Sequence, residues 1–273
     1  TVSDGTGASC TITLAGGTGS CSITSLTAGS KTLTATYSGD TTYAGSSGTT
    51  MHTVNKADPT VNTWPSASDI TYGQTLASST LSGGDATPAG TFAWITPSTS
   101  PATGTSSQDV RFTPTDSTNY NTVDGTVNVT VNQATPTVSS WPTASAITYG
   151  DTLADSTLSG SAASVAGSFA FTTPATAPDA GTYSASVTFT PTDTVNYTTV
   201  TGNVNVTVNK ATPTVTTWPT ASDITYGEAL SDSTLSGEVA SVAGDFEFDS
   251  PSDTPNAGTA DHDVTFEPTD SAN

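Results

Sequence analysis

A repeat of 77 residues is the feature that most constrains how this chain of 273 residues can fold. The dipeptide Trp-Pro occurs three times at this spacing, as Trp64-Pro65, Trp141-Pro142 and Trp218-Pro219. The strings Tyr-Gly and Pro-Thr-Asp recur at the same interval. A fixed period of this length indicates that one small folding unit is encoded several times. The sequence therefore predicts three tandem units at residues 56–132, 133–209 and 210–273, preceded by a different segment at residues 1–55.

Each unit is predicted to be all-β. Threonine is abundant throughout the chain, and its branched Cβ favours strands over helices. Apolar residues alternate with polar ones, as in Val204, Val206 and Val208, which is the pattern of a strand with one buried face. No segment offers a helical crossover for a parallel sheet. The expected architecture is a tandem series of β-sandwiches, arranged end to end as a rod because the linkers between them are short.

Residues 1–55 are expected to form an incomplete domain. Turn residues divide them into four predicted strands, Cys10–Leu14, Ser20–Thr24, Thr32–Tyr37 and Thr49–Asn55. Four strands are few for a closed sandwich, so the front strands of this domain are expected to be missing. The third unit stops 13 residues short of the full period, so its last strand is expected to be missing too. Together these features predict a window cut from a longer array of repeats.

The charge balance excludes several functional classes. The chain has 24 acidic and 4 basic residues, a formal net charge of -20. Four cations are too few to neutralise a run of phosphates, which excludes nucleic-acid binding. No apolar run approaches the ~20 residues that span a bilayer. With two His, two Cys and no catalytic or phosphate-binding motif, we expect neither enzyme activity nor a cofactor.

The acidic residues are unevenly distributed. The four segments hold 2, 6, 4 and 12 of them in chain order. Because the third unit keeps the framework of the other two, its extra carboxylates are expected to face solvent. Two interpretations remain open, namely that they keep the protein soluble or that they take up Ca²⁺ diffusely. Asp261-His262-Asp263 is a further candidate for a cation site, and a solvated surface is the alternative there.

Two family resemblances cover nearly the whole chain. Residues 20–54 resemble the group 3 bacterial Ig-like domain, through the string Leu-Thr-Ala-Gly-Ser-Lys-Thr-Leu-Thr-Ala-Thr-Tyr-Ser-Gly-Asp at 26–40 and Tyr-Ala-Gly-Ser at 43–46. The 77-residue units, with Ile-Thr-Tyr-Gly and Asn-Tyr-(Asn or Thr)-Thr-Val, resemble the glycine-rich YGX-type Ig-like repeats of large bacterial surface proteins. These resemblances imply tandem Ig-like sandwiches in an extracellular stalk or fibre of an adhesin-like protein. Neither family carries a catalytic site to transfer to this chain.

Cys10 and Cys21 lie on either side of a predicted turn at Ala15-Gly16-Gly17. If the flanking strands pair, the two cysteines face each other at a distance that a disulfide bond can bridge. A disulfide bond would suit an oxidising extracellular setting. Buried free thiols are the alternative, while a metal site would need more ligands than these two residues supply.

Trp64, Trp141 and Trp218 stand near the start of the three repeats. A row of exposed indole rings along a fibre could stack on sugar rings. The alternative is a role in the core or between domains, because buried aromatic rings contribute strongly to packing. We expect this structural role.

A second recurring pair places Asp four residues before Tyr, as Asp116 with Tyr120 and Asp193 with Tyr197. Asp270 stands at the same position of the third unit. The spacing is similar to that of the tyrosine corner of Ig-type sandwiches, where the hydroxyl group ties a strand to a preceding loop. The alternative is a Ca²⁺ ligand pair made with a neighbouring Asn, although calcium takes about six to eight oxygen ligands. We expect the structural role here as well.

The sequence thus predicts a structural segment of a long extracellular protein on a bacterial surface, acting as a stalk, fibre or filament building block. Its predicted partners are neighbouring repeats of the same chain and, through lateral or head-to-tail contacts, further copies. Two other functions stay open. One is an adhesin module that binds glycan or protein through its loops or its tryptophan row, and the other is a subunit of an extracellular polymer whose subunits exchange strands.

Overall fold

The computed structural model describes all residues from Thr1 to Asn273, which form β-strands connected by turns and loops. Its helices are single turns of 3-10 helix, at Leu76–Ser78, Leu153–Asp155 and Leu230–Asp232. The all-β prediction is therefore confirmed. The chain divides into two compact units, Thr1–Ala134 and Thr135–Asn273.

The leading segment, residues 1–55, opens the first unit with one antiparallel sheet. Its strands are β1 (Val2–Ser3), β2 (Ser9–Cys10), β3 (Gly29–Tyr37) and β4 (Ser46–Val54). They are arranged in the order β2-β1-β3-β4. β3 and β4 pair over their whole lengths, with Gly29 opposite Val54 and Tyr37 opposite Ser46. Every residue of β4 except Val54 is exposed, so this edge strand contributes little to a core.

Two of the strands predicted for the leading segment are wrong. Cys10 is the last residue of β2, but residues 11–14 and Ser20–Thr24 are not strands, and between them an isolated bridge joins Ala15 and Thr18. The residues on both sides of this bridge are mostly exposed. Without a buried face, a short two-stranded ladder gains too little apolar burial to be stable.

Repeat 1, residues 56–132, is a two-layer β-sandwich. Its strands are β5 (Thr60–Thr63), β6 (Ser66–Ala67), β7 (Ile70–Thr71), β8 (Leu81–Ser82), β9 (Asp85–Thr87), β10 (Gly90–Trp94), β11 (Gly104–Pro114) and β12 (Val123–Asn132). One layer is a mixed sheet in the order β10-β11-β12-β7. The other consists of two short antiparallel ladders, β5 with β9 and β6 with β8. The 3-10 turn between β7 and β8 buries Leu76.

β7 joins the mixed sheet as a parallel edge strand, with Ile70 opposite Val131 of β12. The strands β8 to β11 lie between β7 and β12 in the sequence. These strands make the long connection that a parallel pair requires, so no crossover helix is needed. The sequence did not predict this pair, because a strand of two residues carries no periodicity. The pairing brings the beginning of the repeat next to its end.

Repeat 2, residues 133–209, has the same arrangement. Its strands are β13 (Val138–Ser140), β14 (Thr143–Ala144), β15 (Ile147–Thr148), β16 (Leu158–Ser159), β17 (Ala162–Ala163), β18 (Gly167–Phe171), β19 (Gly181–Pro191) and β20 (Val200–Asn209). The mixed sheet has the order β15-β20-β19-β18, and β13 with β17 and β14 with β16 form the ladders.

The core of repeat 2 lies between its two layers. Val204, Val206 and Val208 of β20 point inward and are buried, as the alternating pattern predicts. They pack in one cluster with Ile147 of β15 and with Leu153, which the 3-10 turn places over the sheet. The turn therefore supplies the apolar side chain that the short strands of the second layer cannot provide.

Repeat 3, residues 210–273, contains fewer strands. They are β21 (Val215–Thr217), β22 (Thr220–Ala221), β23 (Leu235–Ser236), β24 (Val239–Ala240), β25 (Gly244–Phe248) and β26 (Val264–Pro268). The ladders β21 with β24 and β22 with β23 match those of repeat 2. No strand of residues 210–273 corresponds to β15 or β20, so β26 pairs with β25 alone.

Candidate functional site: the joints between domains

A loop after the long strand of repeat 1 contains Asp116 and Asn119. Asp116 accepts two hydrogen bonds from Asn119, one from its backbone N–H at 3.1 Å and one from its side-chain Nδ2 at 2.7 Å. Because the amide nitrogen donates to the carboxylate, the amide oxygen Oδ1 is directed to another donor. The loop thus presents a single, oriented acceptor.

Asn119 uses this oxygen to bind the leading segment. Its Oδ1 accepts a hydrogen bond of 2.7 Å from the backbone N–H of Ala28. Ala28 precedes Gly29, the first residue of β3, whose φ of 119° is available mainly to glycine. The contact recognises a backbone group at the entry to a strand, so it requires no particular side chain at residue 28.

The same loop holds the linker between the two domains. Ala57 donates its backbone N–H to the carbonyl oxygen of Asn119 at 2.8 Å and accepts from the N–H of Asn121 at 2.9 Å. Lys56 donates its Nζ to the carbonyl oxygen of Ser117 at 2.6 Å. Loop and linker are therefore fastened together, which leaves the linker little freedom to act as a hinge.

The second unit contains the same joint between repeats 2 and 3. Asp270 accepts from the backbone N–H and from the Nδ2 of Asn273, at 3.3 and 2.9 Å. The Oδ1 of Asn273 accepts from the backbone N–H of Ala180 at 2.9 Å. The carbonyl oxygen of Asn273 accepts from Ala211 of the linker, also at 2.9 Å. Each bond has its counterpart in the first joint.

Two further features match between the joints. The Nζ of Lys210 donates a hydrogen bond to the carbonyl oxygen of Ser271, just as the Nζ of Lys56 donates to that of Ser117. Ala180 precedes Gly181, the first residue of β19, whose φ is 126°. Two of the four basic residues of the chain thus lie at joints, where each caps the carbonyl group of a loop.

Hydrogen bonding favours the ionised form of two of the repeat aspartates, Asp193 and Asp270. The pKa of Asp270 is lowered chiefly by the side-chain hydrogen bond from Asn273, against an opposing effect of burial. The pKa of Asp193 in repeat 2 is lowered in the same way by the side chain of Asn196. At neutral pH these aspartates are therefore charged acceptors that orient the amide groups beside them.

The predicted Asp and Tyr pair is part of this loop, but Asp and Asn supply its side-chain hydrogen bonds. Tyr120 and Tyr197 are half-buried. Tyr120 forms a parallel bridge with Ala57 of the linker and donates its backbone N–H to the carbonyl oxygen of Asp116 at 3.2 Å. Tyr120 therefore lies at the joint, next to the linker.

Sequence reasoning missed the role of the asparagine. Asn119, Asn196 and Asn273 follow the repeat spacing as strictly as the aspartates do. The signal was therefore available in the repeat. Asn beside Asp and Tyr is also an ordinary turn residue, so the repeat spacing alone does not reveal a contact with a neighbouring domain.

Trp64 and Trp141 are packed inside their repeats. The ring of Trp64 meets that of Phe92 edge to face, with 5.6 Å between centroids. It also covers Gly125 of β12, where a Cβ atom would come within 2.3 Å of the ring. Trp141 covers Gly202 of β20 in the same way, at 2.4 Å. Each ring therefore packs directly on a glycine in the last strand of its repeat.

Trp218 of repeat 3 differs from these two residues. Its ring keeps the edge-to-face contact, with Phe246 at 5.8 Å, but 56% of the residue is exposed. No strand of residues 210–273 brings a glycine against it. Among these three tryptophans, Trp218 alone is exposed in residues 1–273.

Cys10 and Cys21 are joined by a disulfide bond, with their Cα atoms 6.1 Å apart. The ladder predicted between them is wrong. Cys10 belongs to β2 and pairs with Val2, and Cys21 lies in a loop. The bond fastens a region of the leading segment that has few strand pairings of its own.

Asp4 is a buried carboxylate that the sequence did not single out. It is 2% exposed and accepts hydrogen bonds from the backbone and the hydroxyl group of Thr6, both at 2.9 Å. Ala8 donates its N–H at 3.1 Å, and Ser25 its hydroxyl group at 2.9 Å. These bonds, led by that of the Thr6 backbone, lower the pKa of Asp4 to about 2. In the sequence, Asp4 is indistinguishable from a turn residue.

The acidic residues of repeat 3 lie at its surface. All 12 of its carboxylate residues are exposed, and so is His262 between Asp261 and Asp263. No group of three or more His, Cys, Asp or Glu side chains is arranged to hold a metal ion. The helical turns of the structure are also far too short to cross a membrane.

Comparison with known proteins adds little to this description. No protein-family model and no curated protein matches the chain. Among solved structures, Sidekick-1 immunoglobulin domains 1-5 align over 67% of this chain and 46% of that one, at 14% identity and a TM-score of 0.23. Drosophila N-cadherin EC1-4 aligns over 84% of this chain and 75% of that one, at 11% identity and a TM-score of 0.21. The chain thus spans about half the length of the Sidekick-1 structure, and likeness at these TM-scores supports no assignment.

Proposed function

We propose that this chain is a structural segment of a long extracellular protein on a bacterial surface, where tandem Ig-like sandwiches form a stalk or fibre. The observation that carries this proposal is the repeated joint, in which Asn119 binds Ala28 and Asn273 binds Ala180. The resemblance to bacterial Ig-like domains supports the location, as does the disulfide bond between Cys10 and Cys21.

The joint gives this function a physical basis. A single neutral hydrogen bond contributes only about 1 kcal/mol, so no one contact makes a joint rigid. Each joint combines the Asn oxygen, the linker backbone and a lysine, which act on three chain segments at once. Bending would break several of these bonds together, and a spacer built from such joints keeps its ends apart.

The test is the stiffness of the first joint. Spin labels at the exposed residues Ser47 and Ser107 would report the distance between the leading segment and repeat 1 in the intact chain. Labels carried on non-cysteine amino acids leave the disulfide bond intact. We expect Asn119→Ala to broaden the distance distribution, because it removes the only side-chain bond to Ala28.

Asn62→Ala is the matched control for this experiment. Asn62 donates to Asp85 inside repeat 1 and takes no part in the joint. The distance distribution between the two labels in the Asn62→Ala variant should equal that of the unmodified chain. If Asn119→Ala leaves the distribution as narrow as Asn62→Ala does, the joint does not set the stiffness and the stalk proposal loses its main support.

A further inference from the structure

Residues 21–28 of the leading segment form no strand, although they lead directly into the first joint. We call them the docking loop. Their last residue is Ala28, whose backbone N–H donates to the Oδ1 of Asn119 in repeat 1 at 2.7 Å. Backbone without a strand partner opens easily unless side chains fix it. The position of the Ala28 N–H therefore depends on what holds this loop.

A disulfide bond fixes the start of the docking loop. Cys21 is joined to Cys10, the last residue of β2, with the two Cα atoms 6.1 Å apart. β2 in turn pairs with β1 in the sheet of the leading segment. A covalent link of this kind removes many conformations from the chain that it closes. The first residue of the docking loop is thereby attached to the sheet, although no strand pairing reaches it.

The two buried charged residues of the protein hold the other end of the docking loop. Asp4 is 2% exposed and accepts a hydrogen bond of 2.9 Å from the hydroxyl group of Ser25. Lys31 is 6% exposed, and its Nζ donates to the hydroxyl oxygen of Thr27 at 2.5 Å. A buried charge is unfavourable unless it is hydrogen-bonded, so each of these bonds is costly to break. The residues just before Ala28 are therefore tied to the leading segment.

Little packing supports the contact between the docking loop and repeat 1. A cavity of about 280 Å³ lies between them, lined by Thr27 and Ala28 on one side and by Asn119 and Tyr120 on the other. The hydrogen bond from Ala28 is thus not surrounded by a close-packed interface. Because a hydrogen bond weakens steeply with distance and angle, a small displacement of the loop would break it.

We propose that the disulfide bond between Cys10 and Cys21 is a redox-sensitive control of the first joint. Its reduction frees the docking loop and loosens the link between the leading segment and repeat 1. This inference rests on the proposed function, in which the joint stiffens the chain. A loop already held in its docked conformation loses less conformational entropy on docking than a free loop does. The oxidised protein therefore has the stiffer joint, which suits an oxidising extracellular setting.

The reductant is an external dithiol, which can reach the bond because both cysteines are partly exposed. One thiolate of the dithiol attacks a sulfur atom of the protein, the S–S bond between Cys10 and Cys21 breaks, and a mixed disulfide forms. The second thiolate of the dithiol then displaces the protein sulfur. The dithiol is thereby oxidised to a cyclic disulfide, and the protein gains two electrons and two protons as two free thiols.

The experiment uses the intact chain with the spin labels at Ser47 and Ser107, before and after treatment with a dithiol. We expect reduction to broaden the distance distribution. Exchange of the Ala28 amide, followed by NMR, should become at least about fivefold faster, as for the loss of one net hydrogen bond. The paired amides of β3 and β4 should stay protected, because their ladder includes no residue of the docking loop.

Two results of this experiment would overturn the redox control. One is a distance distribution that reduction leaves unchanged. The other is a loss of protection throughout β3 and β4, which would mean that reduction unfolds the leading segment instead of freeing its loop.

A chain that carries both Cys10→Ser and Cys21→Ser is the matched control. It should have the broad distribution without any reductant, and the dithiol should not change it further. A narrow distribution in this variant would show that the disulfide bond does not hold the joint.

Asn119→Ala separates this inference from the proposed function. In that variant, reduction should add no further broadening, because the bond through which the docking loop acts is already absent. If reduction broadens the distribution as much as in the unmodified chain, the disulfide bond acts elsewhere and the redox control is wrong. If Asn119→Ala broadens the distribution and reduction does not, the redox control alone fails and the stalk proposal stands. If Asn119→Ala has no effect, both fail.

Discussion

Asp4 and Asn119 show how single polar side chains organise parts of the protein that contain few apolar residues. Each accepts hydrogen bonds from backbone N–H groups that have no partner in a strand. The donors are Thr6 and Ala8 for Asp4, and Ala28 for Asn119. Backbone donors removed from water need a partner, and a side-chain oxygen supplies one without a regular ladder. One residue can therefore fix the path of a whole loop.

The substitution Asp4→Asn should destabilise the leading segment at neutral pH. The pKa of Asp4, about 2, lies below the ordinary value of 3.8, so the fold favours the ionised carboxylate. This contribution is fully present above about pH 4 and is lost as the pH falls through about 2. The protection factors of the β3 amides should therefore be lower in the variant at pH 7, and the difference should shrink towards pH 2.

The exposed Asp109→Asn is the control for this pH dependence. It lies in repeat 1, so protection of the β3 amides should not change at any pH. If the Asp4→Asn variant loses the same amount of β3 amide protection at pH 7 and at pH 2, the lost charge is not the cause of the destabilisation.

Gly202→Ala should destabilise repeat 2 by about 1–3 kcal/mol, the usual effect of overpacking. The added Cβ would lie 2.4 Å from the ring of Trp141, so the ring or the strand must move. Urea unfolding followed by tryptophan fluorescence measures the loss. Gly48→Ala is the matched control, since an added Cβ there meets no atom within 4 Å and its unfolding curve should be unchanged.

At the scale of elements, the 3-10 turns supply each repeat with an apolar side chain over the mixed sheet. Leu76, Leu153 and Leu230 are buried in the three repeats, at 1%, 0% and 5% exposure. The turn in repeat 2 is fixed by a capping box in which Asp155 accepts from the backbone N–H of Thr152 at 2.9 Å. These turns therefore supply apolar burial that the short strands of the second layer do not provide.

Leu153→Ala should cost more stability than Leu230→Ala. Leu153 is enclosed between the two layers, so its removal leaves a cavity and should cost about 2–5 kcal/mol. Leu230 already lines a cavity of about 430 Å³, so its truncation removes fewer contacts. Hydrogen exchange of β19 and β26 compares the two repeats in one chain, and equal losses would contradict the packing described for repeat 3.

The long strands were predictable because a buried face leaves alternating valines in the sequence, as in β12 and β20. The pairing of β7 with β12 was not, since Ile70 and Thr71 alone show no period. The ladder expected between the cysteines is wrong because its alternation had no second layer to face. The role of Asn119 depends on Ala28, 91 residues away, and a contact of that separation leaves no local pattern.

At the scale of the whole molecule, charge is the property that varies most between repeats. Repeat 3 holds 12 of the 24 acidic residues, and all of them are exposed, while the ladders and the 3-10 turn match those of repeat 2. The carboxylates therefore repel one another across a scaffold that tolerates them.

Salt should stabilise repeat 3 more than repeat 1. Raising the ionic strength from about 0.01 M to about 0.15 M shortens the screening length from about 30 Å to about 8 Å, which weakens repulsion between surface carboxylates. Protection of the β25 and β26 amides should rise more than that of the β10 and β11 amides. An equal rise in both repeats would mean that the charge excess has no effect on stability.

Each joint binds a backbone N–H group rather than a particular side chain, and this affects how a protein built from such domains can evolve. The donor is the N–H of an alanine before a positive-φ glycine, both in the leading segment, at Ala28-Gly29, and in a repeat of another type, at Ala180-Gly181. Neither contact depends on the interior of the domain that offers it. A domain can therefore be duplicated, deleted or exchanged for another type without compensating substitutions in the neighbouring domain. Recombination can in this way adjust the length of the protein one domain at a time.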